Sequence, residues 1–402
     1  MSDLSIDTEL VHAGERRGKP IGQPNATPIY SSATYGYDSA AEMDAVLAGA
    51  GGDYIYARYG NPTVAALEEL LKTIESGAAA VAYASGMAAI HAALFACDLA
   101  PGSIVLASQD LYGASFDLLN KIFGSFGVKM QTADFSDLEK LRAKTLETKP
   151  RVLLAETISN PLLKICDIER VAAIARAAGA KFVVDNTFAS PFLCQPLNLG
   201  ADFVVHSATK YLSGHADAMG GIVVVKDAFD APALEGVKKL VGGVLSPWEA
   251  HQILRGAKTL ALRMEKQCAN AEILAEELAK NAAVEKVFYP LLAEDEALPR
   301  KVLREPFGGA LISVKLKNDS RAAAFRFMDN LKLCVRATSL GDIFTGVSHP
   351  AISSHRELSP KKRQALGISE GLVRISVGIE DVKDIISDIE RALSQPSAVA
   401  GG

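Results

Sequence analysis

Between residues 79 and 226, short apolar runs alternate with segments of helical period. The runs read "AAVAYAS", "SIVLAS", "VKMQTAD", "RVLLAET", "KFVVDN", "ADFVVHS" and "GGIVVVK". They are short, rich in valine and flanked by turn residues, the pattern of strands buried on both faces. Helical segments such as "DIERVAAIARAAG" separate several of them. Strands joined by helices predict a mostly parallel sheet, and hence an α/β domain. Its first helix is expected at "NPTVAALEELLKTIESG", with Asn61 as cap, Pro62 in the first turn and Gly77 past the end.

Beyond residue 245 the period changes. "SPWEAHQILRGAKTLALRMEKQCANAEILAEELAKN" predicts a long helical stretch capped by Ser246-Pro247, interrupted at Gly256 and crossing between domains. The remainder, including "GALISVKL", "RAAAFRFMDNL" and "LVRISVGI", mixes strands and helices in a smaller α/β unit. Upstream, "GKPIGQPNATPIYSSATYGYDS" is polar, aromatic and turn-rich, an arm expected to pack on something outside its own core. The expected organisation is an N-terminal arm over 1–60, a larger domain over 61–255, a C-terminal domain over 256–395 and a disordered tail over 396–402.

Composition narrows the function classes. A chain of 402 residues is long enough for about two domains, and its net charge of −5 offers no basic footprint for nucleic acid or an anionic membrane. No apolar run approaches the roughly 18–20 residues of a membrane span. The polar, acidic start predicts no secretory leader. Cys97, Cys166, Cys194, Cys268 and Cys334 are scattered, odd in number and free of CxxC pairs. They predict buried thiols in a reducing compartment, and so a cytoplasmic location with no nucleic-acid or membrane partner.

Ligand sites in α/β sheets gather beyond the C-terminal ends of the strands, and the chemically capable residues fall there. "VVHSATKYLSGH" ends a strand just before Lys210, amid Ser207, Thr209 and Ser213. "KFVVDNTF" ends another on Asp185, and "LLAETISNPL" a third on Glu156, with Asn160 in the turn beyond. In "AVAYASGMAAIHAALF" a strand passes through Ser85-Gly86-Met87 into a helix, whose first N–H groups can cradle a phosphate. Competing motifs fail. There is no GxGxxG, "GERRGK" is one residue short of a P-loop, and His349 and His355 of "HPAISSH" are too far apart for a helical metal pair. No metal site is expected.

A surface lysine, a capping aspartate, a core tyrosine and a surface strand arginine are each ordinary. Together at matching strand ends they meet the needs of pyridoxal 5'-phosphate. Its aldehyde requires an amine such as Lys210, and its ring nitrogen a carboxylate such as Asp185. Its phosphate requires the N–H groups and hydroxyls of Gly86, Met87, Ser207 and Thr209. Tyr112, after "SIVLASQD", can stack on the ring, and Arg374 in "GLVRISVGIED" can take a substrate carboxylate.

Over nearly its whole length the chain resembles the Cys/Met-metabolism enzymes among the fold-type I pyridoxal-phosphate proteins. That group holds cystathionine γ-synthase and γ-lyase, methionine γ-lyase and O-acylhomoserine sulfhydrylase. The resemblance rests on "YARYGNPT", "ASGMAAI", "DLYGAS", "VVDNTFASP", "HSATKYLSGH", "SLGD", "HPAISSH" and "EGLVRISVGIED". It implies an aspartate-aminotransferase-like α/β fold, with a large mostly parallel sheet domain and a smaller C-terminal α/β domain. It implies catalytic roles for Lys210, Asp185 and Tyr112, and cofactor contacts from Ser85 as well as Gly86 and Met87. Asn160 would bond the ring hydroxyl, and Ser339 would join Arg374 at the substrate carboxylate. Tyr56 and Arg58 would reach the phosphate of a neighbouring subunit, in a homotetramer of two catalytic dimers.

The same resemblance implies γ-elimination or γ-replacement, between which the catalytic residues do not choose. Methionine γ-lyases typically carry a cysteine after "LYG", where this chain has Ala114. Cystathionine enzymes often carry a glutamate at the position of Phe344, and an apolar ring there suits a thioether or acyl ester better. The expected reaction is γ-elimination from a sulfur amino acid, with γ-replacement on O-acetyl- or O-succinylhomoserine as the alternative. A cofactor-free binding protein descended from such an enzyme would be expected to have lost Lys210 or Asp185, and both are present.

Overall fold

The computed structural model describes residues 4–14, 24–50, 54–293 and 296–394. The expected tail lies outside the described residues, as does most of "GERRGK". Seven strands form the larger sheet: β1 (Ala79–Tyr83), β2 (Ile104–Ser108), β3 (Lys129–Ala133), β4 (Val152–Glu156), β5 (Lys181–Asp185), β6 (Phe203–Ser207) and β7 (Gly221–Val225). Their order is β1-β7-β6-β5-β4-β2-β3. All pair in parallel except β7, which runs antiparallel to both β1 and β6.

Successive residues of each strand enter opposite layers, as the pleat demands. Leu153, Ala155, Phe182, Val184 and Val204 join one apolar cluster, while Val152, Leu154, Val183, Phe203 and Val205 join another. The first layer holds the helix Pro62–Ile74, capped by Asn61, whose side chain accepts from the Thr63 and Val64 N–H groups. The second holds the helix Gly86–Ala96. This two-sided burial explains the unbroken apolar runs in the sequence. It also fixes the sidedness of the polar residues at the strand ends: Glu156, Asp185 and Ser207 share the second layer's face, whereas Asn186 and His206 turn towards the first.

The smaller sheet contains β8 (Val284–Phe288), β9 (Leu311–Leu316), β10 (Val335–Arg336), β11 (Gly346–Ser348) and β12 (Leu372–Ser376), ordered β10-β11-β12-β9-β8. Its pairings are antiparallel apart from β10 with β11. The predicted long helix is two, Pro247–Ala257 and Leu260–Lys280. The break falls just after Gly256, where a Cβ would lie 2.1 Å from the Ser213 carbonyl oxygen. Leu260 and Met264 pack into the first layer of the large sheet, and Leu274 and Leu278 into the core of the small one, so this helix joins the two. Upstream, Leu10 is buried in the first layer, but the helix Ala40–Leu47 buries none of its residues.

Candidate active site

A cavity of about 540 Å³ opens beyond the C-terminal ends of β4, β5 and β6, between them and the loop following β10. That volume suits a cofactor with a small substrate. Lys210 lies in the turn after β6, and its Nζ donates to Ser339 Oγ at 2.9 Å. Burial pushes its pKa down, the Arg374 charge adds to this, and Asp342 opposes it. A lowered lysine pKa increases the neutral, nucleophilic fraction of the amine.

A helix N-terminus able to hold a phosphate arises from a cap and a close approach. Ser85 caps the helix Gly86–Ala96 by accepting from the Ala88 N–H at 3.1 Å. The Gly86 and Met87 N–H groups precede the first intrahelical donors, so they open at a helix N-terminus. A Cβ on Gly86 would lie 2.7 Å from Ser207 Cβ, so glycine is what lets helix and strand end meet here. Thr209 Oγ1 accepts from the Gly220 N–H at 3.0 Å. Ser85, Gly86, Met87, Ser207 and Thr209 all line the cavity.

Asp185 ends β5 on the same wall and accepts from the Thr187 N–H at 2.9 Å. Burial raises its pKa, while the Thr187 hydrogen bonds and the His206 charge draw it back. Such a carboxylate gains from a cationic partner, which a protonated pyridine nitrogen would be. Tyr112 stands at the start of the helix Gly113–Asp117 with 40% of its surface exposed, its ring available to a ligand.

Arg374 comes from β12 of the smaller sheet. Its Nη1 donates to Asn160 Oδ1 at 2.9 Å and its Nη2 to the Ser339 carbonyl at 3.3 Å. Its Nε is buried without a partner, and among the described residues no carboxylate lies within ion-pair distance. Burial holds its pKa down at about 10. Such an arginine suits an incoming anion. The loop carrying Ser339 is pinned by the Gly341 N–H donating to Ser376 Oγ at 2.8 Å and by Gln267 Nε2 donating to the Asp342 carbonyl at 2.8 Å.

Other expected residues lie elsewhere. Tyr56 and Arg58 are not among the lining residues of their own chain's cavity. The Arg58 guanidinium stacks on the Tyr56 and Tyr59 rings at 5.4 and 5.0 Å and donates to the Lys239 carbonyl. Phe344 is half-buried outside the cavity, and the lining takes Ser115 rather than Ala114. The apolar wall comes instead from Ile90, Ile158, Phe188, Met219 and Leu340. Ser353 and Ser354 also line it, brought in by "HPAISSH". His355 of that motif is buried, with Nδ1 2.8 Å from Ser354 Oγ and a pKa lowered to about 4. Glu156, noted in the sequence only as a strand end, lines the cavity too.

A doubly layered sheet with a half-buried lysine, a strand-end carboxylate and an open helix N-terminus at one cavity is the arrangement of a fold-type I pyridoxal-phosphate enzyme. The chain belongs to the Cys/Met metabolism PLP-dependent enzyme family, which matches residues 7–394. It is 45% identical over 369 residues to an L-methionine gamma-lyase of Pseudomonas putida, covering 91% of this chain and 92% of that protein. It is 39% identical over 393 residues to a cystathionine beta-lyase of Lactococcus lactis, covering 97% and 99%. The solved structure of a cystathionine gamma synthase from Xanthomonas oryzae superposes with a TM-score of 0.91 at 37% identity, covering 98% of each chain. The cofactor is pyridoxal phosphate.

Proposed function

We propose that the enzyme catalyses γ-elimination on a sulfur amino acid, methionine or a related thioether, using water to release 2-oxobutanoate, ammonia and a thiol. The observation that carries this reading is the pairing of a half-buried Lys210 amine with an Arg374 that has, among the described residues, no carboxylate within ion-pair distance, in a cavity with an apolar wall. Bound pyridoxal phosphate supplies an aldehyde for the substrate amine and a ring that stores the electron pair left at Cα. Arg374, steadied by Asn160 and Ser339, binds the substrate carboxylate and so fixes which Cα bond faces Lys210. The Lys210 amine would take the α-proton, and its lowered pKa raises the fraction present as the neutral base. Asp185 holds the proton on the ring nitrogen. A second proton then leaves Cβ, so that the Cγ–S bond breaks as a Cβ–Cγ double bond forms, and Tyr112, which lines the cavity, would deliver a proton to the departing sulfur.

A relative at 45% identity is an L-methionine gamma-lyase. Met219, Leu340 and Ile158 would receive a thioether methyl, the part that Phe344 was expected to play. The likeness to a cystathionine γ-synthase favours a second reading, γ-replacement on O-acetyl- or O-succinylhomoserine. Products from methionine, homocysteine, cystathionine and O-acetylhomoserine, each with and without sulfide, separate the two. 2-Oxobutanoate from methionine without sulfide is the expected result; homocysteine formed only with sulfide would replace elimination by replacement.

The functional unit in this reading is a homo-oligomer, a tetramer of two catalytic dimers, working in the cytoplasm. Lys210 and Arg374 are the cavity's basic residues, both committed to other tasks, so a phosphate dianion needs a cation from elsewhere. Arg58, with Tyr56, would supply it to a neighbouring subunit. Leu240 and Val241, next in the chain to the Lys239 that Arg58 bonds, are exposed apolar residues suited to such a contact. Residues 61–255 then form the cofactor-binding domain and 256–395 the C-terminal domain.

A further inference from the structure

Strand β4 reads Val-Leu-Leu-Ala-Glu, with four apolar residues followed by a carboxylate in the same buried row. Glu156 is 9% exposed and, among the described residues, has no cationic partner within ion-pair distance. An isolated buried carboxylate is costly unless hydrogen bonds satisfy it. Each of its oxygens has one such bond. Oε1 accepts from the Tyr112 N–H at 2.7 Å, and Oε2 accepts from the Asn160 N–H at 3.0 Å. One side chain thus ties together two loops whose residues lie 44 positions apart on one side and four on the other.

Both tied residues carry side chains into the cavity. Tyr112 and Asn160 both line it, and Asn160 Oδ1 accepts from Arg374 Nη1 at 2.9 Å. The chain of contacts runs Tyr112, Glu156, Asn160, Arg374. We propose that Glu156 is a positioning residue, whose two carboxylate oxygens set the Tyr112 ring and the Asn160–Arg374 pair at a fixed separation. It would thereby couple the cofactor's seat to that of the substrate carboxylate. This rests on the reading of Tyr112 and Asn160 as ring-contacting residues.

The requirement explains the residue type. A carboxylate offers two equivalent acceptors, whereas glutamine of the same size offers one oxygen and sets an NH₂ against an N–H donor. An apolar residue would leave both N–H groups buried and unpaired. Burial and the neighbouring Asp185 charge push the Glu156 pKa up, and the two N–H groups pull against them.

The test compares Glu156→Gln with Glu75→Gln and Tyr112→Ala. Glu75 is buried in the opposite layer, 2.6 Å from His206 Nε2, and does not itself line the cavity. The readouts are circular dichroism of the bound cofactor's visible band, the dissociation constant for pyridoxal phosphate, thermal midpoint, and the split of kcat from KM. Glu156→Gln is expected to halve the dichroic signal per bound cofactor and to weaken cofactor binding about tenfold, the scale of one charged hydrogen bond. It should also raise substrate KM severalfold as Arg374 drifts. Glu75→Gln should lower the thermal midpoint but leave the dichroism per bound cofactor intact. Wild-type dichroism and cofactor affinity in Glu156→Gln would overturn the proposal, as would equal dichroic losses in the Glu75 and Glu156 variants. If Glu156→Gln does not fold, Glu156→Asp, too short to reach both N–H groups, is judged on the same readouts. Unchanged dichroism in Tyr112→Ala would instead remove the ring-contact reading. A change there beside an unaffected Glu156→Gln would overturn this proposal alone.

Discussion

Replacing Arg374 by methionine should separate stability from catalysis. The guanidinium is buried, and the protein holds its pKa at about 10 against an ordinary 12.5. Keeping it charged therefore costs the substrate-free protein about 3 kcal/mol. Its hydrogen bonds to Asn160 Oδ1 and the Ser339 carbonyl return about 1 kcal/mol each. Arg374→Met should thus change the free energy of unfolding by no more than about 1 kcal/mol, far from the 3–5 kcal/mol lost when a buried ion pair is broken.

Catalysis should behave oppositely. Two charge-assisted hydrogen bonds to a substrate carboxylate contribute about 3–5 kcal/mol together, so kcat/KM for methionine should fall roughly 10²- to 10⁴-fold. The assays are urea unfolding of the substrate-free protein and initial rates with methionine and methioninamide, which lacks the carboxylate. The amide should be handled almost equally by wild type and variant. A stability loss of about 3 kcal/mol or more would show Arg374 to be structural. An equal fall with acid and amide would remove it from carboxylate recognition.

Borohydride reduction of the holoenzyme should fix cofactor to Lys210, and Lys210→Ala should abolish this capture; label on another lysine would refute the assignment. Asp185→Asn should retain the cofactor but lose most turnover, since an amide does not stabilise a protonated ring nitrogen; near-normal kcat would make Asp185 merely structural. His355 titrates near 4 when folded against an ordinary 6.5, so the unfolded chain takes its proton first as pH falls. About 3 kcal/mol of stability, present above pH 6.5, should therefore be lost between 6.5 and 4. Unfolding free energies at pH 7 and 5 should diverge less in His355→Gln, and an equal divergence would refute this. Arg58→Ala and Lys210→Ala chains, mixed under subunit exchange, should regain about a quarter of wild-type activity, because half the dimers are mixed and each has one intact site. No recovery despite proven exchange would place Arg58 away from a partner's site.

Much of the fold was legible because burial on both faces leaves a signature that polar surfaces do not dilute. Each apolar run of the larger sheet became a strand, and the Asn61 cap opened the helix expected there. Strand direction was not legible: Gly-Ile-Val-Val-Val of β7 packs equally well either way, and only its neighbours make it antiparallel. At the cavity, Lys210 and Asp185 stood out as charged residues at the ends of apolar strands. Glu156 had the same mark, but its partners are backbone N–H groups, which every residue carries. No residue type in the sequence announces such a bond. The placing of Phe344 was not legible for a related reason: its place in a motif says which loop it joins, while the Thr345–Glu380 hydrogen bonds bear on how that loop lies, outside its own chain's cavity.

The polar residues of the cavity share one energetic logic. Burial and the Arg374 charge lower the affinity of Lys210 for a proton, and burial lowers that of Arg374, while burial raises that of Asp185 and, with the Asp185 charge, that of Glu156. Left together, two cations on one side and two carboxylates on the other are each held away from their preferred ionisation, at a cost in stability. In the proposed mechanism a protonated ring nitrogen would relieve the acidic side, and a substrate carboxylate the basic one. The residues that destabilise the protein alone are therefore those that gain most from its ligands. Binding energy realised this way is specific to a molecule carrying both charges at the right spacing. A neutral ring or a decarboxylated amine would satisfy only half of the arrangement, which is why the cofactor and an α-amino acid are recognised as a pair.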